Sequence, residues 1–136
     1  MTAHTAFAEL LRALARERAC TLVVGGLAKR LHGETTAATD HCLWYDTDDE
    51  NVARVYRALA RIGADLDGVS VVDLADVDYE YRHGEGDDEI CLLGGLDGVM
   101  FADAWVARLE THYDDVPICV IGRDALLMSE RAERVR

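Results

Sequence analysis

No stretch of this chain approaches the ~18 to 20 uninterrupted apolar residues that a membrane-spanning helix needs. The opening MTAHTAFAELLRALARERA mixes acids and bases through an amphipathic pattern and lacks the basic and apolar regions of a secretory signal. These two absences lead to the expectation of a cytoplasmic protein without membrane contact. Cysteine is sparse and scattered. Cys20, Cys42, Cys91 and Cys119 sit singly inside apolar segments, which excludes a CxxC zinc knuckle and a dense disulfide framework and makes them first of all small buried hydrophobes. Positive charge is also short, with 14 Lys and Arg against 26 Asp and Glu and a net charge of −12. That balance repels a phosphate backbone, so duplex nucleic acid is not an expected partner. The acids Asp48, Asp49, Glu50, Asp87 and Asp88 keep a small protein soluble, or else face a basic partner or a cation-rich milieu. There is no internal repeat, low-complexity tract or linker, and 136 residues make one domain, 1–136, long enough to bury ~68% of its unfolded surface.

What is present is an alternation of helical and extended patterns. Phe7, Leu10, Leu11, Leu14 and Ala15 fall at helical spacing and mark a first helix ending near Arg18 or Ala19. Thr21 to Val24 is a short strand stopped by Gly25-Gly26. Leu27 to Leu31 gives one or two helical turns closed by His32-Gly33, and 34–39 is a polar loop. His41 to Tyr45 is a second strand. Asp49-Glu50 open a helix with Val52, Val55, Tyr56, Leu59 and Ile62 on one stripe, ended by Gly63. Two strands, 78–81 and 89–93, flank the turn HGEGDD. A helix over Phe101 to Leu109, a strand over Val116 to Ile121 and a last helix from Asp124 to about Arg134 complete the chain.

The order Gly25-Gly26, His32-Gly33, Asp40, Leu43-Trp44, followed by GLDGVMFADAW (95–105) and VPICVIGRDALL (116–127), resembles the minimal nucleotidyltransferases, including the single-domain members found in toxin-antitoxin pairs. The resemblance covers nearly the whole chain. It implies an α/β (α+β) fold, a nucleotidyltransferase-like mixed β-sheet with helices packed mainly on one face. It also implies a chemistry in which a glycine turn approaches a triphosphate while strand carboxylates hold two divalent ions, magnesium or manganese. Strand side chains alternate, so residues 40 and 42 share one face, and the resemblance implies that the positions of those carboxylates are Asp40, Cys42 and Cys91. Magnesium demands hard oxygen donors, whereas thiolates suit zinc or copper. Glu130 stands where the family often has a lysine or arginine, and the loop that often carries basic or hydroxyl residues here reads Thr35-Thr36-Ala37-Ala38. The expectation is a catalytically degenerate domain, a pseudoenzyme, acting as a nucleotide-binding or antitoxin-like protein-interaction module.

Two alternatives stand beside it. Asp40 and Glu89, with Asp46 further along the strand, could hold one ion in an active metal-dependent nucleotidyltransferase. Or Asp40, Cys42 and Cys91 could form a zinc site, or the two cysteines a redox pair, against the simpler reading of two reduced thiols filling space. For a bound nucleotide the candidates are Gly25 and Gly26 through their backbone N–H groups, Lys29 and Arg30 through charge, and Trp44 through stacking on a base. Each has a structural counterpart: a tight bend, an exposed helix face, a cover over the sheet. His41 points away from Cys42 toward the core or an interface, and His32 packs a helix end. The expected partners are therefore a nucleotide, another protein or a second copy of the chain.

Overall fold

The computed structural model describes residues 5–36 and 40–135. Six strands form one mixed sheet. The elements in chain order are α1 (Thr5–Glu17), β1 (Thr21–Val24), α2 (Gly25–Leu31), β2 (His41–Tyr45), α3 (Asp49–Arg61), α4 (Val71–Leu74), β3 (Glu80–His83), a 3-10 turn (Gly86–Asp88), β4 (Ile90–Leu93), α5 (Phe101–Val106), β5 (Leu109–Tyr113), β6 (Val116–Val120) and α6 (Arg123–Val135). The strands lie in the order β3-β4-β2-β1-β6-β5. β2 runs parallel to β4 and β1 parallel to β6, and the other three pairings are antiparallel. The mixed α+β class expected from the sequence is the one observed.

Alternation along β2 sorts the two faces of the sheet. On one face His41 meets Phe7 of α1, with ring centroids 5.0 Å apart. Leu43 and Tyr45 are fully buried on the same side. α1 supplies Phe7, Leu10, Leu11 and Leu14 to this layer, and α3 supplies Val52, Val55, Ala58 and Leu59. Both helices obey the 3.6-residue period that the sequence displays. Tyr56 and Ile62, placed on the α3 stripe by spacing alone, are half-buried at its margin. The opposite face is not bare: Trp44 packs edge-on against Phe101 of α5 at 5.0 Å, and Phe101 stacks on Trp105 at 5.7 Å.

β3 lies at Glu80–His83, two residues beyond the strand expected over 78–81, and three further elements depart from the sequence expectation. The helix expected over 101–109 stops at Val106, because Leu109–Tyr113 pairs with β6 as an edge strand. Most side chains of this strand are exposed or half-exposed, so it carries no apolar alternation to announce it. α4 is a further short helix, held by a capping box in which the Ser70 hydroxyl accepts from the Asp73 N–H and the Asp73 carboxylate accepts from the Ser70 N–H. α2 begins at Gly25 itself, with no residue between strand and helix. Of the loop expected over 34–39, residues 37–39 lie outside the described residues.

Asn51 locks the connection between the two halves of the helical layer. It is 5% exposed, and its amide donates to the carbonyls of Cys20 (3.1 Å) and Asp46 (2.8 Å) while its carbonyl accepts from the Cys20 N–H (2.7 Å). One side chain thus fixes the entry to β1, the exit from β2 and the first turn of α3. Among the described residues, no helix is long and apolar enough to cross a membrane.

Candidate functional site

Of the residues singled out by sequence, Gly25, Gly26, Asp40, Cys42, Glu89 and Cys91 gather at one end of the sheet, where β1 turns into α2 beside β2 and β4. The sharp turn depends on Gly25, whose φ of +69° lies in the left-handed region. A Cβ built there would collide with Oδ2 of Asp40. The Asp40 carboxylate sits directly on the turn, and the Gly26 N–H donates to its Oδ1 and Oδ2 at 3.2 and 3.3 Å. The amide expected to face a phosphate is hydrogen-bonded to the protein's own carboxylate.

The cationic candidate nearest this turn is also engaged. Lys29 Nζ lies 3.1 Å from Oε1 of Glu130 on α6, with both side chains about a quarter to a third exposed. Glu130, the acid at the position where the resemblance implies a base, therefore offsets the charge that a nucleotide would have met. His32 closes α2 as expected: its Nε2 lies 2.7 Å from the Ile121 carbonyl oxygen, an arrangement in which Nε2 must carry the proton and donate. Arg123 donates to the His32 carbonyl at 2.9 Å, so the end of α2 is tied to the start of α6.

Cys42 and Cys91 are neighbours. They are in-register partners on the parallel strands β2 and β4, both buried, and both free thiols. The same row continues to Arg82, the register partner of Cys91 on β3. A hydrogen bond between the two thiols, together with burial, raises Cys42 far above the ordinary thiol range. The same hydrogen bond, aided by the Arg82 guanidinium, lowers Cys91.

Asp40 and Glu89 immediately precede the register pair His41–Ile90. They do not share a ligand. Arg82 takes the Glu89 carboxylate through Nη1 and that of Glu80 through Nε at 2.9 Å, leaving Asp40 on the Gly26 amide. Among the described residues, no three of His, Cys, Asp and Glu gather as a group that could hold a metal ion. The donor set does not fit a magnesium or manganese pair: one carboxylate is bound to an amide, the other to a guanidinium, and the row between them carries sulfur. Asp40, Cys42 and Cys91 do come together, since the Asp40 carboxylate hydrogen-bonds the Cys42 thiol as well as the Gly26 amide and the two thiols bond to each other, but among the described residues the three do not form a group that could hold a zinc ion.

Trp44 shares the face of Cys42, as alternation requires. It is 2% exposed and covered by Phe101, so its ring forms the floor under α5. Past it, beyond the C-terminal ends of β2 and β4, a cavity of about 690 Å³ opens that sequence reasoning missed. Its only signal in the sequence was the density of Asp and Glu between 76 and 97. A smaller cleft of about 400 Å³ lies where β1 and β6 splay, between α1 and the β5–β6 hairpin.

Fold and site together define an α+β protein with a glycine strand-to-helix turn capped by its own aspartate and an in-register thiol pair beside it. No protein-family model, curated protein or solved structure matches this chain at a significant level.

Proposed function

We propose that this domain is a catalytically inactive relative of the minimal nucleotidyltransferases and works as a protein-interaction module. The observation that carries the reading is the engagement of both candidate carboxylates, Asp40 by the Gly26 amide and Glu89 by Arg82, on either side of a row where sulfur stands in place of oxygen. Two-metal transfer needs acidic oxygens converging on the ions from adjacent strands, and here Asp40 and Glu89 are each drawn to another group. The Lys29–Glu130 pair and the Asp40-capped turn also weigh for a protein partner over a nucleotide. A triphosphate would have to displace one carboxylate and sit beside another.

Incubation with labelled nucleoside triphosphates, magnesium or manganese, and candidate RNA or protein acceptors tests the reading. No incorporation is expected. Label transfer that disappears in Asp40→Ala would overturn it and establish an active transferase using Asp40 and Glu89.

The in-register thiols favour one second reading, a redox pair. Hydrogen peroxide would oxidise Cys42 and Cys91 to a disulfide, two thiol hydrogens and the peroxide leaving as two waters. Intact mass after peroxide treatment decides it: a loss of two hydrogens, absent in Cys91→Ser, supports the pair, and four titratable thiols after treatment refute it.

A further inference from the structure

We propose that the groove at the C-terminal ends of β2 and β4 is the docking site for a basic, amphipathic segment of a partner protein. The inference rests on the interaction-module reading above and gives it a place and a chemistry. The groove encloses about 690 Å³ and has an apolar floor of Trp44, Leu93 and Phe101. Five carboxylates line it, Asp46, Asp78, Glu80, Asp97 and Glu133, and among the described residues no lysine, arginine or histidine does. Of these acids Glu80 is bound to Arg82, the Asp46 carboxylate accepts from the Asp48 N–H at 3.3 Å, and Asp97 is engaged as well.

The rim is built rather than incidental. The 74–78 segment lies across the end of β4 so closely that a Cβ on Gly94 would meet the Asp76 carbonyl and one on Gly95 the Val77 carbonyl. The Tyr45 hydroxyl donates to the Leu74 carbonyl at 2.8 Å and anchors this segment from the core. The consequence is a fixed lip that leaves Val77 59% exposed, and Met100, which also lines the groove, is 72% exposed. Apolar side chains of this size held in water at the mouth of an acidic groove mark a contact surface.

Charge chooses the occupant. A second copy of this chain, with a net charge of −12, would bring an equally acidic surface, and a nucleic acid or anionic lipid would bring phosphates. A small polyamine would satisfy the acids and leave Val77 and Met100 wet. A segment with lysine or arginine on one face and leucine-like side chains on the other satisfies both features, with the apolar face on the floor and the cations against the rim.

The probe is a fluorescein-labelled 15-residue peptide of lysine and leucine at helical spacing, titrated by anisotropy, with amide chemical shifts mapping the site. Binding is expected to perturb residues 77–80, 93–97 and 100–102. It should weaken at least tenfold in Asp46→Asn/Asp78→Asn/Glu133→Gln, and at least fivefold in Met100→Glu. A remote neutralisation, Glu9→Gln/Asp67→Asn/Glu85→Gln, should change it less than threefold. Replacing the peptide's leucines by serine should cost tenfold or more. Equal losses in the two triple variants, full competition by spermine at matched charge, shifts mapping elsewhere, or no binding would each overturn the proposal. Label transfer in the nucleotide assay, by contrast, would refute inactivity without touching these outcomes.

Discussion

The Asp40 carboxylate and the Gly25 backbone compete for the same space, and this makes their coupling measurable. Asp40→Ala removes an exposed carboxylate–amide hydrogen bond to Gly26, worth about 1 kcal/mol at such a surface position. Gly25→Ala places a side chain on left-handed backbone, which costs about 1–2 kcal/mol. Its Cβ also drives Oδ2 off the turn, so the Asp40 bond is lost as well and the total becomes about 2–3 kcal/mol. In the double variant that bond can be lost only once. The double variant should therefore be less destabilised than the sum of the singles by about 1 kcal/mol. The entropic gain of replacing glycine in the unfolded chain enters both backgrounds equally and cancels from the cycle. Urea unfolding of the four proteins, with unchanged denaturant slopes, gives the coupling directly. Additivity within about 0.3 kcal/mol would show that Asp40 does not occupy the glycine turn, and the principal support for an inactive site would go with it.

Three further outcomes follow from the same geometry. Asn51→Ala should lower stability by about 3 kcal/mol, read by urea unfolding, because three hydrogen bonds from a buried amide vanish and the Cys20 and Asp46 backbone groups lose their partner. Glu17 is bound by Arg57 at 2.8 Å and Arg61 at 2.6 Å, and these hydrogen bonds lower its carboxyl below the usual value. The unfolded chain therefore binds the proton more readily, so this contribution is present above the unfolded pKa and is lost as pH falls through the folded one; Glu17→Gln should flatten the acid limb of melting temperature against pH. Cys42→Asp/Cys91→Asp should unfold more easily without metal, by about 3 kcal/mol, as two carboxylates then stand in register in a buried row. Manganese should recover part of that loss, in calorimetric melts, and bind detectably by paramagnetic resonance. A double variant indifferent to manganese would show that this row does not face a common site with Asp40.

How much was legible in the chain differs by element. α1 and α3 have long apolar stripes, and their boundaries in the sequence agree with the structure to within a residue or two. The alternation around His41–Tyr45 correctly set Cys42 and Trp44 on one face and His41 on the other. β5 was invisible because an edge strand needs a partner for its backbone more than an apolar pattern in its side chains, and its partner lies across the Asp114–Asp115 turn. α4 was legible in principle: Ser70 and Asp73 have capping-box spacing, but four residues carry too little periodicity to stand out. The neighbourhood of Cys42 and Cys91 followed only from the family resemblance, since nothing local ties two residues 49 positions apart into register. The destinations of the charges were not legible at all. That Arg82 takes Glu89, Lys29 takes Glu130 and Asp40 takes the Gly26 amide depends on tertiary distances that no spacing rule encodes.

Those destinations also explain why a strongly acidic protein can lack a metal-holding cluster among its described residues. At the glycine turn each negative group is matched to a donor: an amide for Asp40, a guanidinium for Glu89, an ammonium for Glu130. At the far end of the same strands the balance reverses, and five carboxylates line one groove without a basic residue among its lining. A hard cation would need oxygens converging within coordination distance, which that groove does not provide. Spread around an apolar floor, the same charges instead attract a segment whose cations are spaced along a chain, with the apolar contacts holding it after electrostatic encounter. The end of the sheet where the resemblance locates chemistry is thus internally matched, and the acidic groove without a basic residue in its lining lies where β2 and β4 end.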